Sequence, residues 1–270
     1  MSGLKWVADI YDDPTQYLLA NPESITHRLR LPVLKYLLNR ADIGYNVLHP
    51  TSPNTFGTEI EYGINGAPVE VFAPRKKASR PPLQCVVVGK TEPEQGIDLL
   101  MRALRLVEGP VHVDIYGEPI EASRKLAVKY DLNDVVTFHG WEPHETIIEA
   151  VSRAHVGLSL LPRRTDWTYS YPIKIGEYLA AETLPVATGL PATRRLAGDA
   201  GIYVAPDPEE IADQLDALAS IDDEQFLSYR QTCRQQAKKI DWADERERFV
   251  AAILGRSSTS IEEISRRTYS

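Results

Sequence analysis

Cysteine is nearly missing from this chain: Cys85 and Cys233 are the two in 270 residues, with no C-x-x-C pair. A disulfide miniprotein scaffold is excluded, and a reducing cytoplasm is the expected setting. Cys85 itself reads as a buried residue of the run LQCVVVG. No apolar stretch reaches 18 residues, so no membrane-spanning helix is expected. The start, MSGLKWVADIYDD, lacks the basic head and apolar stretch of a signal peptide. Positive charge is the scarcer sign, with 30 Lys and Arg against 38 Asp and Glu and a net charge of −8. That balance argues against nucleic acid as the main partner but leaves room for a local basic pocket.

Several motifs are missing as well. No G-x-G-x-x-G occurs, which weighs against a nicotinamide-binding half. No G-x-S-x-G elbow anchors hydrolase chemistry. None of the six histidines pairs with another at zinc spacing, and HETII at 144–148 lacks the second histidine of a zincin helix. His112 and His139 fall in strand runs and read as core or edge residues. VGKT at 88–91 has the end of a P-loop, but residue 84 is Gln where that loop needs glycine. Residues 85–88 are strand-like, so no loop of N–H groups is there to cradle phosphates.

What is present is an ordinary soluble composition, 43% apolar and 25% charged, enough to build a core and incompatible with wholesale disorder. The length allows one large domain or two ordinary ones. APRKKASRPP at 73–82 has linker composition, with a solvated loop inside one domain as the other reading. After it, strand and helix patterns alternate. Strands are expected at 84–89, 111–116, 135–139, 156–161, 184–187 and 201–204. Helices are expected at 94–107, 121–130, 146–154 and 173–181, and three more at about 207–219, 222–239 and 243–254. Repeated β-α units with short connections predict an α/β fold, a doubly wound parallel sheet over 80–255. Before the linker, residues 1–79 read as a partial α/β unit. Its strands fall at 5–10, 43–48 and 59–62, and its helix at 24–41 with a kink or break at Pro32. Residues 256–270 read as a tail.

The segment SYPIKIGEYLAAETLPVATG at 170–189 carries the most chemistry. Pro172 opens a helix whose first turn presents free N–H groups and the positive dipole end, suited to a phosphate. Lys174 adds charge in that turn. Glu177 lies one turn on, where a carboxylate could accept both hydroxyls of a ribose. The competing reading is a plain amphipathic helix with Glu177 on its wet face.

With these pieces in order, residues 83–254 resemble the nucleotide-sugar-binding domain of GT-B fold glycosyltransferases, specifically the large retaining family 4. LQCVVVGKTEPEQGIDLLMRAL is similar to its opening strand, turn and first helix, and VHVDIYGEP to its second strand and Gly-Pro turn. VVTFHGWEPHETIIEAVSRAHVGLSLLP is similar to its base-contacting turn with the flanking strands and helix. YPIKIGEYLAAETLPVATG is similar to its donor-site helix, and DWADERERFVAAIL to its final helix, which leans back on the first domain. YGINGAPVEVFAP, through Asn65, Gly66, Phe72 and Pro74, resembles the end of the family's N-terminal domain; KWVADIYDDP and the helix ending in NRADIGYNVL resemble its last third to half, and what precedes that in the family is expected to be absent here.

The resemblance implies transfer of a sugar from a nucleotide diphosphate sugar to an acceptor hydroxyl, with retention of configuration and no metal or other cofactor. It implies a donor-binding set of Gly89, Lys90, Gln95, Gly140, Trp141, Arg163, Tyr169, Ser170, Pro172, Lys174 and Glu177, and leaves the catalytic group unassigned. Lys90 stands where the family carries a phosphate-binding Arg, and Gln95 where it carries a Lys. Lys174, Arg163 and Arg164 are the residues that could make up the lost charge. Glu177 matches the second Glu of the family's pair, Tyr169 occupies the place of the first, and Gly140 with Trp141 matches the base-contacting turn. Three accounts of the short N-terminal part compete: an internal methionine of a longer reading frame, a second chain that covers the open sheet edge, or a degenerate remnant. A non-catalytic binding protein on the same fold and a sugar-nucleotide epimerase are the alternative functions. The acceptor is open among glycan, lipid and small molecule. Weak membrane-surface association through the basic linker or the tail is a further expectation.

Overall fold

The computed structural model describes residues 6–10, 25–47, 60–163 and 168–254. Its strands are β1 (Val7–Ile10), β2 (Ile43–Asn46), β3 (Ile60–Tyr62), β4 (Leu83–Val88), β5 (Val111–Tyr116), β6 (Val136–Gly140), β7 (Val156–Ser159), β8 (Leu184–Thr188) and β9 (Ile202–Val204). Its α-helices are α1 (Ile25–Leu38), α2 (Ile97–Leu104), α3 (Glu121–Lys129), α4 (His144–Arg153), α5 (Ile173–Ala180), α6 (Pro191–Ala197), α7 (Pro208–Ser220), α8 (Asp223–Lys239) and α9 (Trp242–Ile253).

β4 to β9 form one six-stranded sheet in the order β6-β5-β4-β7-β8-β9, and every pairing is parallel. The sequence alone makes this plausible: LQCVVV, VGLS and LPVAT are near-continuous apolar runs, the pattern of strands covered on both faces. The order runs outward from β4 in one direction and from β7 in the other. That reversal opens a crevice at the carboxyl ends of β4 and β7, where doubly wound sheets hold ligands. The core under it joins Cys85, Val87, Leu100, Leu158, Ile175, Tyr178 and Leu179 in one apolar cluster. Two helices of this unit start with designed ends. Asp207 accepts from Glu210 N at 3.0 Å to cap α7, and Asp222 accepts from Gln225 N at 2.8 Å to cap α8.

β1, β2 and β3 form a separate parallel sheet in that order. The expected break at Pro32 is not there, because α1 runs through that residue as one helix. Two strands of chain join the sheets. Ala67 pairs with Asp241, its N–H donating to Ile240 O at 2.7 Å while Trp242 N donates to Ala67 O at 3.0 Å. α9 then returns to the small sheet, with Phe249 edge-on to Tyr45 at 4.8 Å and Glu245 accepting from Ile64 N at 3.2 Å.

The 73–82 segment is extended and strapped to the larger unit. Lys77 Nζ donates to Ala181 O at 3.0 Å and Thr183 Oγ1 at 2.8 Å, and Ala78 N donates to Arg153 O at 2.9 Å. Arg80 pairs with Asp223. The sequence reading omitted α6, whose seven residues PATRRLA begin on Pro191 and end before Gly198. The expected tail at 256–270 lies outside the described residues.

Candidate functional site

The site is built at the crevice by turns that leave the strand ends. β4 stops at Gly89, whose N–H donates to Tyr116 O at 3.0 Å. Gly117, at the end of β5, comes so close that a Cβ there would stand 1.7 Å from Gly89 O. Its φ of +129° is also a conformation that side-chain-bearing residues avoid. Lys90 is exposed beside this junction. The next residue, Thr91, is fully buried; its hydroxyl donates to Pro119 O and its carbonyl accepts from Ser123 Oγ. The turn that carries Lys90 is therefore fixed from the β5–α3 side.

The chain then passes through a short 3-10 turn, Pro93–Gln95, before α2. The helix expected from residue 94 is thus delayed to Ile97. Gly96 makes the change of direction with φ +98°, and a Cβ there would lie 2.1 Å from Leu160 O. This close approach seals the start of α2 against the end of β7. Gln95 does not replace the charge of a lysine: its amide donates to Glu92 Oε2 at 3.1 Å, within its own turn.

α5 closes the site from the other side. Pro172 stands just before it as the N-cap, in extended conformation, rather than in the first helical turn. Lys174 reaches from its first turn across the crevice, so that a Cβ on Gly89 would stand 3.3 Å from Lys174 Nζ. Burial lowers the pKa of Lys174 to about 8, against the opposing pull of Glu177. Burial likewise raises the pKa of the Glu177 carboxyl, while His144 and Lys174 draw it down. Behind them the Tyr178 ring fills the space over Gly157, where a Cβ would lie 2.3 Å from a ring carbon.

Lys90, Gln95 and Lys174 line one narrow cleft with Gly96, Leu160 and Ser159 in its wall. The buried Ser159 hydroxyl has no hydrogen-bond partner among the described residues. Such an orphan is costly unless something that enters the pocket satisfies it. A lone hydroxyl at the carboxyl end of the apolar strand VGLS is the signal that could have revealed Ser159 in sequence. His144 was also missed; it opens α4, faces Glu177 electrostatically, and lies edge-on to Phe72 at 5.7 Å.

The remaining expected residues frame the pocket rather than line it. Gly140 ends β6, its carbonyl accepting from Gly117 N at 2.7 Å, and Trp141 beside it is 74% exposed. Tyr169 and Ser170 are half-buried in the turn before α5. That turn is tied to the first unit, since Asn65 Nδ2 donates to Tyr171 O at 3.0 Å. Arg163 is exposed two residues past the pocket wall at Leu161. Arg164 lies outside the described residues.

Residues 82–220, slightly over half of the chain, match the family described as glycosyl transferases group 1. No curated protein matches in sequence. Among solved structures, sucrose-phosphate synthase from Thermosynechococcus elongatus superposes with a TM-score of 0.74 at 17% identity, covering 94% of this chain and 69% of that one. HepE of Anabaena, solved with UDP and glucose, gives 0.73 at 14% identity, covering 92% of this chain and 71% of that one. WaaG, a glycosyltransferase involved in lipopolysaccharide biosynthesis, gives 0.71 at 14% identity, covering 94% and 76%. These likenesses identify the GT-B fold.

Proposed function

This chain belongs to the group 1 glycosyl transferases, and on that footing we propose that it moves a hexosyl group from a nucleotide diphosphate sugar to an acceptor hydroxyl with retention of configuration. Residues 80–255 act as the donor-binding domain and residues 1–79 contribute the acceptor side. One observation carries the reading: Lys174 Nζ, the opening turn of α5 and the unpartnered Ser159 hydroxyl converge on the crevice beside Gly89.

The difficult event in this reaction is departure of the diphosphate, because negative charge grows on it as the glycosidic bond breaks. Groups fixed in advance around that charge lower the barrier without having to reorganise. Lys174 is placed for this, with Lys90 at the rim and free backbone N–H groups at the start of α5. The reading requires no metal, since cations and helix N–H groups meet the phosphate charge. Glu177 stands one turn further along α5, where its carboxylate accepts the ribose hydroxyls, and Trp141 offers an exposed ring to the base.

The experiment is a thermal-shift and calorimetric screen of UDP-, GDP- and ADP-linked sugars. UDP-glucose comes first because HepE was solved with it. Stabilisation by one nucleotide class, abolished in Lys174→Ala, is expected. A folded protein that no donor stabilises would sink the proposal. Gln95 favours a second reading, a donor-binding protein without turnover, because it brings no positive charge and its amide is engaged by Glu92. Donor binding with no sugar transferred to any of a panel of glycan, lipid and small-molecule acceptors would favour that version.

A further inference from the structure

Parallel sheets are nearly always covered on both faces by apolar residues, and one half of this sheet departs from that. The registers Gln84↔His112, Val86↔Asp114 and Asp114↔Thr137 align these side chains on one face. That face is polar and partly open. His139 Nε2 lies 2.7 Å from Asp114 Oδ1, and Gln84 Nε2 donates to Asp114 Oδ2. His112 Nε2 lies 3.1 Å from Thr137 Oγ1 and 3.8 Å from Asp114 Oδ1. The imidazole of His139 stacks flat on Tyr116, with centroids 4.2 Å apart.

α4 runs alongside and turns Thr146, Glu149, Ala150 and Arg153 towards this face, so that a pocket of about 380 Å³ lies between helix and sheet. That is within the size range of small-molecule sites. The linker closes its far end at Ala78. It shares no residue with the pocket at the β4–β7 crevice.

We propose that this pocket is a second ligand site, for a neutral, hydroxyl-rich molecule the size of a single sugar ring. The lining alternates acceptors and donors as vicinal hydroxyls require: the carboxylates of Asp114 and Glu149, the guanidinium of Arg153, the hydroxyls of Thr146 and Tyr116, and the amide of Gln84. Asp114 is held in place by two partners and keeps acceptor capacity, since an ionised carboxylate has about four acceptor positions. A carboxylate fixed in this way binds a diol without first having to be ordered. The inference does not depend on the donor reading of the other site.

The probe is methyl α-D-glucopyranoside, observed by saturation-transfer NMR on the full chain with UDP in excess to occupy the crevice. Transfer to the glycoside that survives excess UDP is expected. Glu149 and Arg153 are solvent-exposed at the mouth of the pocket and paired with each other at 3.7 Å, so Glu149→Ala and Arg153→Ala should preserve the fold. Each should weaken binding by about tenfold, the worth of one charge-assisted hydrogen bond. Unchanged circular dichroism and thermal midpoint of these variants confirm that they are folded. Absence of transfer, transfer abolished by UDP, or transfer undiminished in both variants would overturn the proposal. So would preference for cyclohexylamine over the glycoside, which would make the pocket a cation site.

Discussion

At the scale of single residues, Lys174 joins the fold to its chemistry. With its pKa near 8, the side chain is partly neutral in the mildly alkaline range. A phosphate bound against it favours the charged form, so binding above pH 8 must bring a proton with it. The affinity for UDP should therefore fall by up to about tenfold per pH unit above that value. Calorimetry in buffers of different ionisation enthalpy should register the proton taken up. Lys174→Ala should weaken UDP binding by about 10- to 150-fold and flatten that pH profile. Gly96 makes a structural counterpart. Gly96→Ala places a methyl 2.1 Å from Leu160 O in a left-handed backbone, so α2 must shift. A loss of about 2–4 kcal/mol in urea unfolding is expected. That Lys90, Gln95 and Lys174 stand at one turn and one helix start was legible in sequence because that spacing is local. Ser159 and His144 were not, because what matters about them is which distant segment they face.

Among elements, the 73–82 strap shows where composition stops being informative. Arg75, Lys76 and Lys77 form one charge run, and the first two are exposed as a linker should be. Lys77 instead turns inward to the α5–β8 connection, and burial together with the nearby Arg230 lowers its pKa to about 7. Between pH 7 and the ordinary lysine range, the unfolded chain holds this proton and the folded chain does not. Raising the pH through that window therefore favours the folded state, while below pH 7 both states are charged and the penalty is constant. Above about pH 9 the opposite trend enters, because burial raises the pKa of Cys85 above its ordinary value of 9.0. Stability by urea titration should rise from pH 7 to pH 9, and in Lys77→Met that rise should shrink to the part above pH 8 that Lys174 contributes. The strands and long helices were legible because apolar periodicity records burial directly. The short α6 was not, since seven residues with two adjacent arginines carry too little periodicity to separate helix from loop.

For the whole molecule, the six-stranded unit and the small sheet meet, among the described residues, around residues 64–67 and along α9. Gly176 of α5 lies so close to Gly66 that a Cβ there would meet Gly66 O at 2.8 Å, and α9 provides the other attachment through Phe249. Phe249→Ala should loosen that second attachment by about 2 kcal/mol. Hydrogen exchange should then quicken at residues 43–46 and stay unchanged in β4, β7 and β8. The two groups of parallel strands, before and after residues 73–82, were readable in sequence, but the return of α9 entered only through family resemblance, because no local pattern says what a C-terminal helix will touch. The strand order has a last consequence, in time rather than in binding. β4 and β7 lie side by side although Cys85 and its partner Val156 are about 70 residues apart in the chain. Closing so long a loop costs more entropy than closing the shorter β-α-β units on either side, so the seam between them should be among the later events of folding. The crevice straddles that seam. A nucleotide bound there clasps a late-forming joint, so it should lengthen the life of the folded protein by slowing its opening and leave the rate of folding almost untouched.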